Sequence, residues 1–280
     1  MLSIDDAVRL WALTDVRQIA DTPGSCVYRC RTPQGASAVV KVLKPRGLGE
    51  ASGMDFLAWR EGRGAVRLIR RKQNIALLED GGEQTLEEHR RQHGESAADA
   101  AFAALLPQLH APSPFPPPAS LVPLEQHFEA LLKRRKPADP SHADNFHWAA
   151  DLTRRLLSVQ VNVKPLHGDL HHENIISRDG MHWVAIDPHG LIGDPAYDVA
   201  NYFGNPLHTP DVTLNPERIL SLAERLAPLY GKRKILEYAA AHAALSATWS
   251  IDDPVTEEDL ADARDRLRFL AVVRGLMEAA

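Results

Sequence analysis

The chain has 280 residues, 44% of them apolar and 25% charged, which is enough to bury one large or two small cores. A net charge of −5 offers no basic field to hold a phosphate backbone, and no stretch approaches about eighteen uninterrupted apolar residues, so nucleic acid and membrane are both disfavoured as partners. Two cysteines, Cys26 and Cys30, build neither a disulfide framework nor a four-cysteine zinc site, and the acidic start Met1-Leu-Ser-Ile-Asp-Asp-Ala-Val-Arg-Leu-Trp11 lacks the positive charge of a signal peptide. A reducing, cytoplasmic compartment fits.

In chain order, residues 4–20 place Ile4, Ala7, Val8, Trp11 and Leu13 on one helical face until Asp21-Thr-Pro-Gly-Ser25 breaks the pattern. Cys26–Arg31 and Ala38–Leu43, joined by a Thr32–Gly35 turn, predict a hairpin. Ala65–Ile69 and Ile75–Glu79 add two strands, with one helix inserted near residues 49–60. From Gln84 the periodicity turns helical, over Ala97–His110, Pro123–Lys133 and Asp144–Val161, with a Pro-rich connector at 111–119. That connector has the composition of an SH3-type ligand, but a rigid link between helices is its commoner use. Two short strands at 174–178 and 182–187 flank the turn Asp179-Gly180. Helices close the chain at about 195–204, 215–229, 232–250 and 256–278. The expected fold class is α+β: an N-terminal antiparallel sheet lobe with one helix, residues 1–80, and a larger, mainly helical lobe, residues 81–280.

Residues 167–174 read His-Gly-Asp-Leu-His-His-Glu-Asn, and the run Trp183-Val-Ala-Ile-Asp187 ends thirteen positions after Asn174. Asp169 and Asn174 stand five apart, the separation of the protein-kinase catalytic loop. In that loop an Asp receives the acceptor proton and an Asn holds Mg²⁺. The pattern therefore assigns Asp169 as catalytic residue and Asn174 and Asp187 as Mg²⁺ ligands, hard oxygen donors of the kind that ion takes. His167 and Asp198 are assigned to support of the loop. Asp194 and Pro195 supply the cap and first residue of the helix that carries Asp198.

Phosphoryl transfer also needs a cation on the triphosphate. Lys41, in Val39-Val-Lys-Val42, occupies the place of the kinase strand lysine, with Glu50 as its expected carboxylate partner and Glu61 as competitor. Gly24 and Ser25 lie in the turn that would cover phosphates, although it carries one glycine where protein kinases have three. Leu78 and Glu79 end the apolar strand that would border adenine. Five histidines crowd this region, His167, His171, His172, His182 and His189, which raises a zinc alternative. His167 and His171 flank Asp169 in a loop, and the kinase-like block already accounts for His167.

Leu166-His-Gly-Asp-Leu-His-His-Glu-Asn174, Ala185-Ile-Asp-Pro188 and Gly193-Asp-Pro-Ala-Tyr-Asp-Val-Ala-Asn201 together resemble the aminoglycoside phosphotransferase family, in its streptomycin 6-kinase and hydroxyurea phosphotransferase branch. Gly64–Leu68, Ala76–Glu79 and Ala244–Trp249 carry the likeness across most of the chain. The resemblance implies a protein-kinase-like two-lobed fold and an ATP- and Mg²⁺-dependent transfer to the hydroxyl of a small molecule, with no obligate protein partner. Only six residues separate Asp187 from Asp194, too few for the segment on which protein kinases lay a peptide, and Gly168 stands where a phospho-clamping Arg would be. A cationic substrate such as streptomycin suits an acidic wall near Trp249, with Asp194, Asp252 and Asp253 as candidate contacts. Two alternatives remain in view: a housekeeping kinase of choline, homoserine or fructosamine type, and a nucleotide-binding pseudokinase.

Overall fold

The computed structural model describes residues 1–134, 140–252 and 257–279. Its contacts divide the chain into two compact units, Met1–Leu121 with Asn174–Gly190, and Val122–Glu173 with Leu191–Ala280.

The first unit opens with helix α1, Ile4–Trp11, begun by a capping box in which the Ser3 hydroxyl accepts the Asp6 N–H and the Asp6 carboxylate accepts the Ser3 N–H. The periodicity over 4–20 predicts a longer helix, but Ala12 adopts φ +50° and its N–H returns to the Val8 carbonyl, which ends α1 at Trp11. Residues Thr14–Asp21 instead form β1, an edge strand exposed along its whole length. Two register shifts against its neighbour disturb the two-residue alternation by which it would have been read as a strand.

Strands β2 (Ser25–Arg31), β3 (Ser37–Leu43), β4 (Leu68–Lys72) and β5 (Ile75–Glu79) complete an antiparallel sheet in the order β1-β2-β3-β5-β4. β4 starts three residues later than Ala65 because Ala65 is drawn into a separate bridge with Ala185. Ala7 and Trp11 of α1 pack with Cys30, Val40, Ile75 and Leu77 to close one face of the sheet. Cys26 and Cys30 are free thiols, and burial, with the Asp80 charge, pushes the Cys30 thiol up to about 11.

A 3-10 turn, Pro45–Glu50, leads into α2, Ala51–Arg60. The helix expected over 97–110 is α4, Glu95–Leu109, and an additional helix, α3, Leu86–His93, precedes it across a break at Gly94, whose φ of +88° no ordinary residue adopts cheaply. The contacts are not divided by a single cut at residue 80, for two reasons. α4 is tied to α2 by Arg60, fully buried, whose guanidinium donates to the carbonyls of Gln108 at 2.6 Å, Ala111 at 2.8 Å and Arg63 at 3.0 Å. The hairpin Ile175–Ser177 and Trp183–Ala185 then returns to this unit and builds a second small sheet with Gln84–Thr85.

In the second unit a small sheet sets Leu191–Gly193 between Val122–Pro123, parallel, and Lys164–Leu166, antiparallel. Helices Pro140–Ser158, Pro216–Tyr230, Lys232–Asp252 and Glu257–Glu278 make up most of the rest. Lys232–Asp252 is buried nearly all round through Ala239, Ala240, Ala241, Ala243 and Ala244, small residues that let neighbouring helices approach closely. Among the described residues no helix is long and apolar enough to cross a membrane.

Burial lowers the Arg60 guanidinium to about 10, so its three carbonyl partners provide the compensation for holding a cation out of water. Arg60→Met fills the same space but strands those carbonyls. Urea unfolding should show a loss of about 2–4 kcal/mol, larger than that of Arg60→Lys, which keeps a donor.

Candidate active site

In the first unit the site begins with the hairpin that carries Asn174 and Asp187. Its register pairs Ala185 with Ile175, and the Ile186 N–H donates to the Asn174 carbonyl at 2.9 Å, so Asn174 and Asp187 emerge at the same end of the ladder. The far end is closed by Asp179, whose carboxylate accepts the N–H groups of Met181 and His182 and the ring of His182, bonds that hold its carboxyl well below the usual range. Asp187 sits at φ +54°, in the left-handed region, at the point where the strand ends and the chain turns.

The chain beyond Asp187 is pinned against the first turn of α2. The Ser52 hydroxyl donates to the His189 carbonyl at 2.7 Å. A Cβ added at Gly53 would stand 1.8 Å from the Pro188 carbonyl oxygen, and one at Gly190, φ +72°, would stand 2.3 Å from the Ser52 carbonyl oxygen. Only glycine lets these two backbones approach so closely. With that segment fixed, Lys41 Nζ lies 3.1 Å from Asp187 Oδ1; the lysine side chain is 5% exposed and the aspartate 43%. Lys41 faces this way because β3 lies between β2 and β5, with Lys41 in register with Val27 and Ala76.

In the second unit the strand Lys164–Leu166 runs into a tight loop. Gly168 takes φ +85°, and the N–H groups of His167 and Gly168 both donate to the buried carboxylate of Asp198, at 2.9 and 2.7 Å. His167, fully buried, accepts the Asp169 N–H on Nδ1 at 3.2 Å. Asp169 Oδ1 accepts from Asn201 Nδ2 at 2.8 Å, and its Oδ2 stands 3.7 Å from His171 Nε2. The carboxylate is thus oriented while a quarter of the side chain, 26%, stays exposed. The loop is thus held through two backbone N–H groups by one buried carboxylate and presents a second, quarter-exposed one.

A protein-family model described as aminoglycoside/hydroxyurea antibiotic resistance kinase matches residues 10–254. The chain belongs to that family. Among its relatives, streptomycin 3''-kinase of Klebsiella pneumoniae is 34% identical over 73% of this chain and 77% of its own length. Streptomycin 6-kinase of Streptomyces griseus is 29% identical over 68% of this chain and 62% of its own. The fold is that of aminoglycoside phosphotransferase APH(4)-Ia, solved with ADP and hygromycin B, at a TM-score of 0.67 and 14% identity over 96% and 97% of the two chains. A choline/ethanolamine kinase family protein from Mesorhizobium loti gives 0.65 at 16% identity, over 97% and 99%. The resemblance carried by residues 166–201 therefore holds, and the chain is an enzyme of the kinase class.

In this kinase the remaining expected residues have the following surroundings. The acid seen on Lys41 is Asp187; Glu61 turns to Arg63 at 3.6 Å, and the Glu50 side chain lies outside the described residues. Ser25 uses its N–H within its own turn, on the Thr22 hydroxyl at 3.0 Å, and the Gly24 carbonyl accepts the Lys44 N–H from the end of β3. Leu78 is buried inside the sheet, and Glu79 accepts the Arg67 N–H at 3.2 Å. Asp194, 2% exposed, is not a substrate contact: its carboxylate accepts the Ala196 and Val161 N–H groups and Lys234 Nζ. Asp252 is met by Arg134 at 3.3 Å, which offsets its charge, and Asp253 lies outside the described residues. Trp249 stays 41% exposed. Of the clustered histidines, His172 stacks on Tyr202 and His182 on its own turn acid, and among the described residues no three His, Cys, Asp or Glu side chains form a metal-holding group.

Three contributors escaped the sequence reading: Asn201 on Asp169, and Gly53 and Gly190 under Asp187. Asn201 lay in view at the end of the Asp194-Pro-Ala-Tyr-Asp motif, but the glycines carry no local signal, since their necessity comes from a partner backbone far along the chain. Gly53→Ala should cost about 1–3 kcal/mol in urea unfolding. Gly49→Ala, where an added Cβ meets nothing within 4 Å, should be close to neutral.

Proposed function

We propose that this kinase moves the γ-phosphoryl group of ATP to a hydroxyl of streptomycin, and so disarms the antibiotic in the cytoplasm. The observation that carries the reaction is the deeply buried Lys41 held 3.1 Å from the half-exposed Asp187. A buried amine kept beside an open carboxylate is set to exchange that contact for an anionic oxygen. The relatives named as streptomycin kinases support the substrate.

Asn174 and Asp187 fit a magnesium ion, because both offer hard oxygen atoms at one end of a single hairpin and Mg²⁺ is commonly held by one or two such groups plus phosphate oxygens. When bound, the ion would supply positive charge against the negative charge that develops on the phosphate during transfer. Lys41 holds the α- and β-phosphates. Asp169 orients the acceptor hydroxyl and takes its proton as that oxygen bonds to the γ-phosphorus and the bond to the ADP oxygen breaks. Asp198 and His167 keep the loop fixed, so that the carboxylate needs no reorganisation at the moment of transfer. The unit of Met1–Leu121 with Asn174–Gly190 serves the nucleotide, and the unit of Val122–Glu173 with Leu191–Ala280 supplies the acid that takes the proton and the substrate contact. Trp249 offers an exposed aromatic face of the type that attracts a guanidinium group.

A coupled ADP-release screen over streptomycin, other aminoglycosides, choline and sugar amines tests the proposal. Turnover is expected with streptomycin, and the phosphorylated position follows from the product, since the relatives are named for different hydroxyls. Turnover confined to choline or a sugar amine would make this a metabolite kinase, and silence with retained ATP binding a pseudokinase. Asp169→Ala should reduce kcat by about 10²–10⁴-fold while nucleotide affinity changes by less than about twofold.

A further inference from the structure

Behind Asp169, entirely within the second unit, lies a run of buried polar side chains that the transfer chemistry has not used. Asn201 donates from Nδ2 to Asp169 Oδ1 at 2.8 Å. Its Oδ1 faces two groups: Asn205 Nδ2 at 2.8 Å and His242 Nε2 at 3.0 Å. His242 Nδ1 lies 3.0 Å from the Tyr197 hydroxyl, which lies 2.6 Å from His127 Nε2. The ring of His127 meets that of Trp249 edge-on at a centroid distance of 5.4 Å. Exposure is 8% at Asn201, 5% at Asn205, 5% at His242 and 2% at Tyr197, so these bonds form out of water.

The donor directions follow from one fixed end. A carboxylate only accepts, so Asn201 must present its nitrogen to Asp169 and its oxygen to the other side. His242 Nε2 must then carry the hydrogen, which in the neutral imidazole leaves Nδ1 to accept the Tyr197 hydroxyl. Burial first, then the charges of Asp169 and Asp198, push the Tyr197 phenol well up, so it remains a donor. Its oxygen in turn accepts from His127 Nε2–H. Every hydrogen in the run thus points toward Asp169. Turning the Asn201 amide over would set its nitrogen against the donors of Asn205 and His242, and its oxygen against the carboxylate, a loss at each contact.

We propose that His242 is a positioning residue for phosphoryl transfer, which locks the Asn201 amide in one orientation and through it the plane of the Asp169 carboxylate. The inference rests on the phosphotransferase reading above. The same run joins the aromatic pair His127–Trp249, at the exposed edge of this unit, to the group that receives the acceptor proton. Loss of the His242 bond therefore acts on the reacting geometry and not on nucleotide binding.

The test compares His242→Phe with His242→Gln, whose amide keeps one donor and one acceptor. At saturating ATP and alcohol, His242→Phe should lower kcat by about 10-fold or more, with KM for ATP within about twofold, and His242→Gln should recover most of the rate. Nitrogen NMR of the histidine-labelled wild type, with the His242 signals assigned by their loss in the Gln variant, should show the Nε2–H tautomer. An active wild type with unchanged kcat in His242→Phe, a Gln variant as slow as Phe, or the Nδ1–H tautomer would overturn the inference alone. A wild type that turns over no alcohol overturns the phosphotransferase reading and this inference with it.

Discussion

The loop that presents Asp169 in the second unit depends on one buried carboxylate. Where the strand ends at Leu166, the chain must present Asp169 outward, and it does so by turning at Gly168 with φ +85°. The turn leaves the N–H groups of His167 and Gly168 pointing inward without a strand partner, and such groups are costly to bury unsatisfied. Asp198 accepts both, at 2.9 and 2.7 Å. It stays in place because its own 3-10 turn, Pro195–Val199, is capped by Asp194, which Lys234 and the Val161 N–H hold in turn. An acid expected to meet substrate is thus spent on supporting the acid that supports Asp169.

The first unit solves a different problem by close packing. A lysine buried to 5% needs counter-charge, and its in-register neighbours in the sheet, Val27 and Ala76, carry none. Asp187 comes from the far hairpin, and glycines at 53 and 190 let α2 press against the chain that follows it. The ion pair therefore rests on backbone contact between segments more than a hundred residues apart in sequence, for instance Ser52 and His189. The exposed side of Asp187 is what allows the pair to open toward a ligand, because a pair sealed on both sides would gain little from exchange.

How much of this was legible follows from where the causes lie. The 166–201 block could be read because its chemistry needs particular residue types at short spacing: Asp169, Asn174 and the Asp194-Pro-Ala-Tyr-Asp start. The hairpin over 175–185 and the four late helices were equally local, set by Asp179-Gly180 and by three- and four-residue spacing. What escaped was decided by distant partners. The strand β1 has an exposed, shifted register that hides its period, and α1 stops at Ala12 with no glycine to mark the stop. The Asp187 contact of Lys41, the neutralisation of Asp252 by Arg134 and the Asn201 bond to Asp169 were not expected, because each joins elements that no spacing rule connects. Charge alone suggested an acidic wall, but whether an aspartate is open to a substrate is set by what packs beside it.

Replacing Asp198 by Asn tests the central claim most directly, because it keeps the shape and turns one of the two acceptors into a donor facing a backbone N–H. With saturating ATP and alcohol, kcat of Asp198→Asn should fall by about 100-fold, as expected when a reacting group is misplaced by about 1 Å, while a non-hydrolysable ATP analogue binds within about threefold of wild type. A kcat within about twofold of wild type would contradict the account.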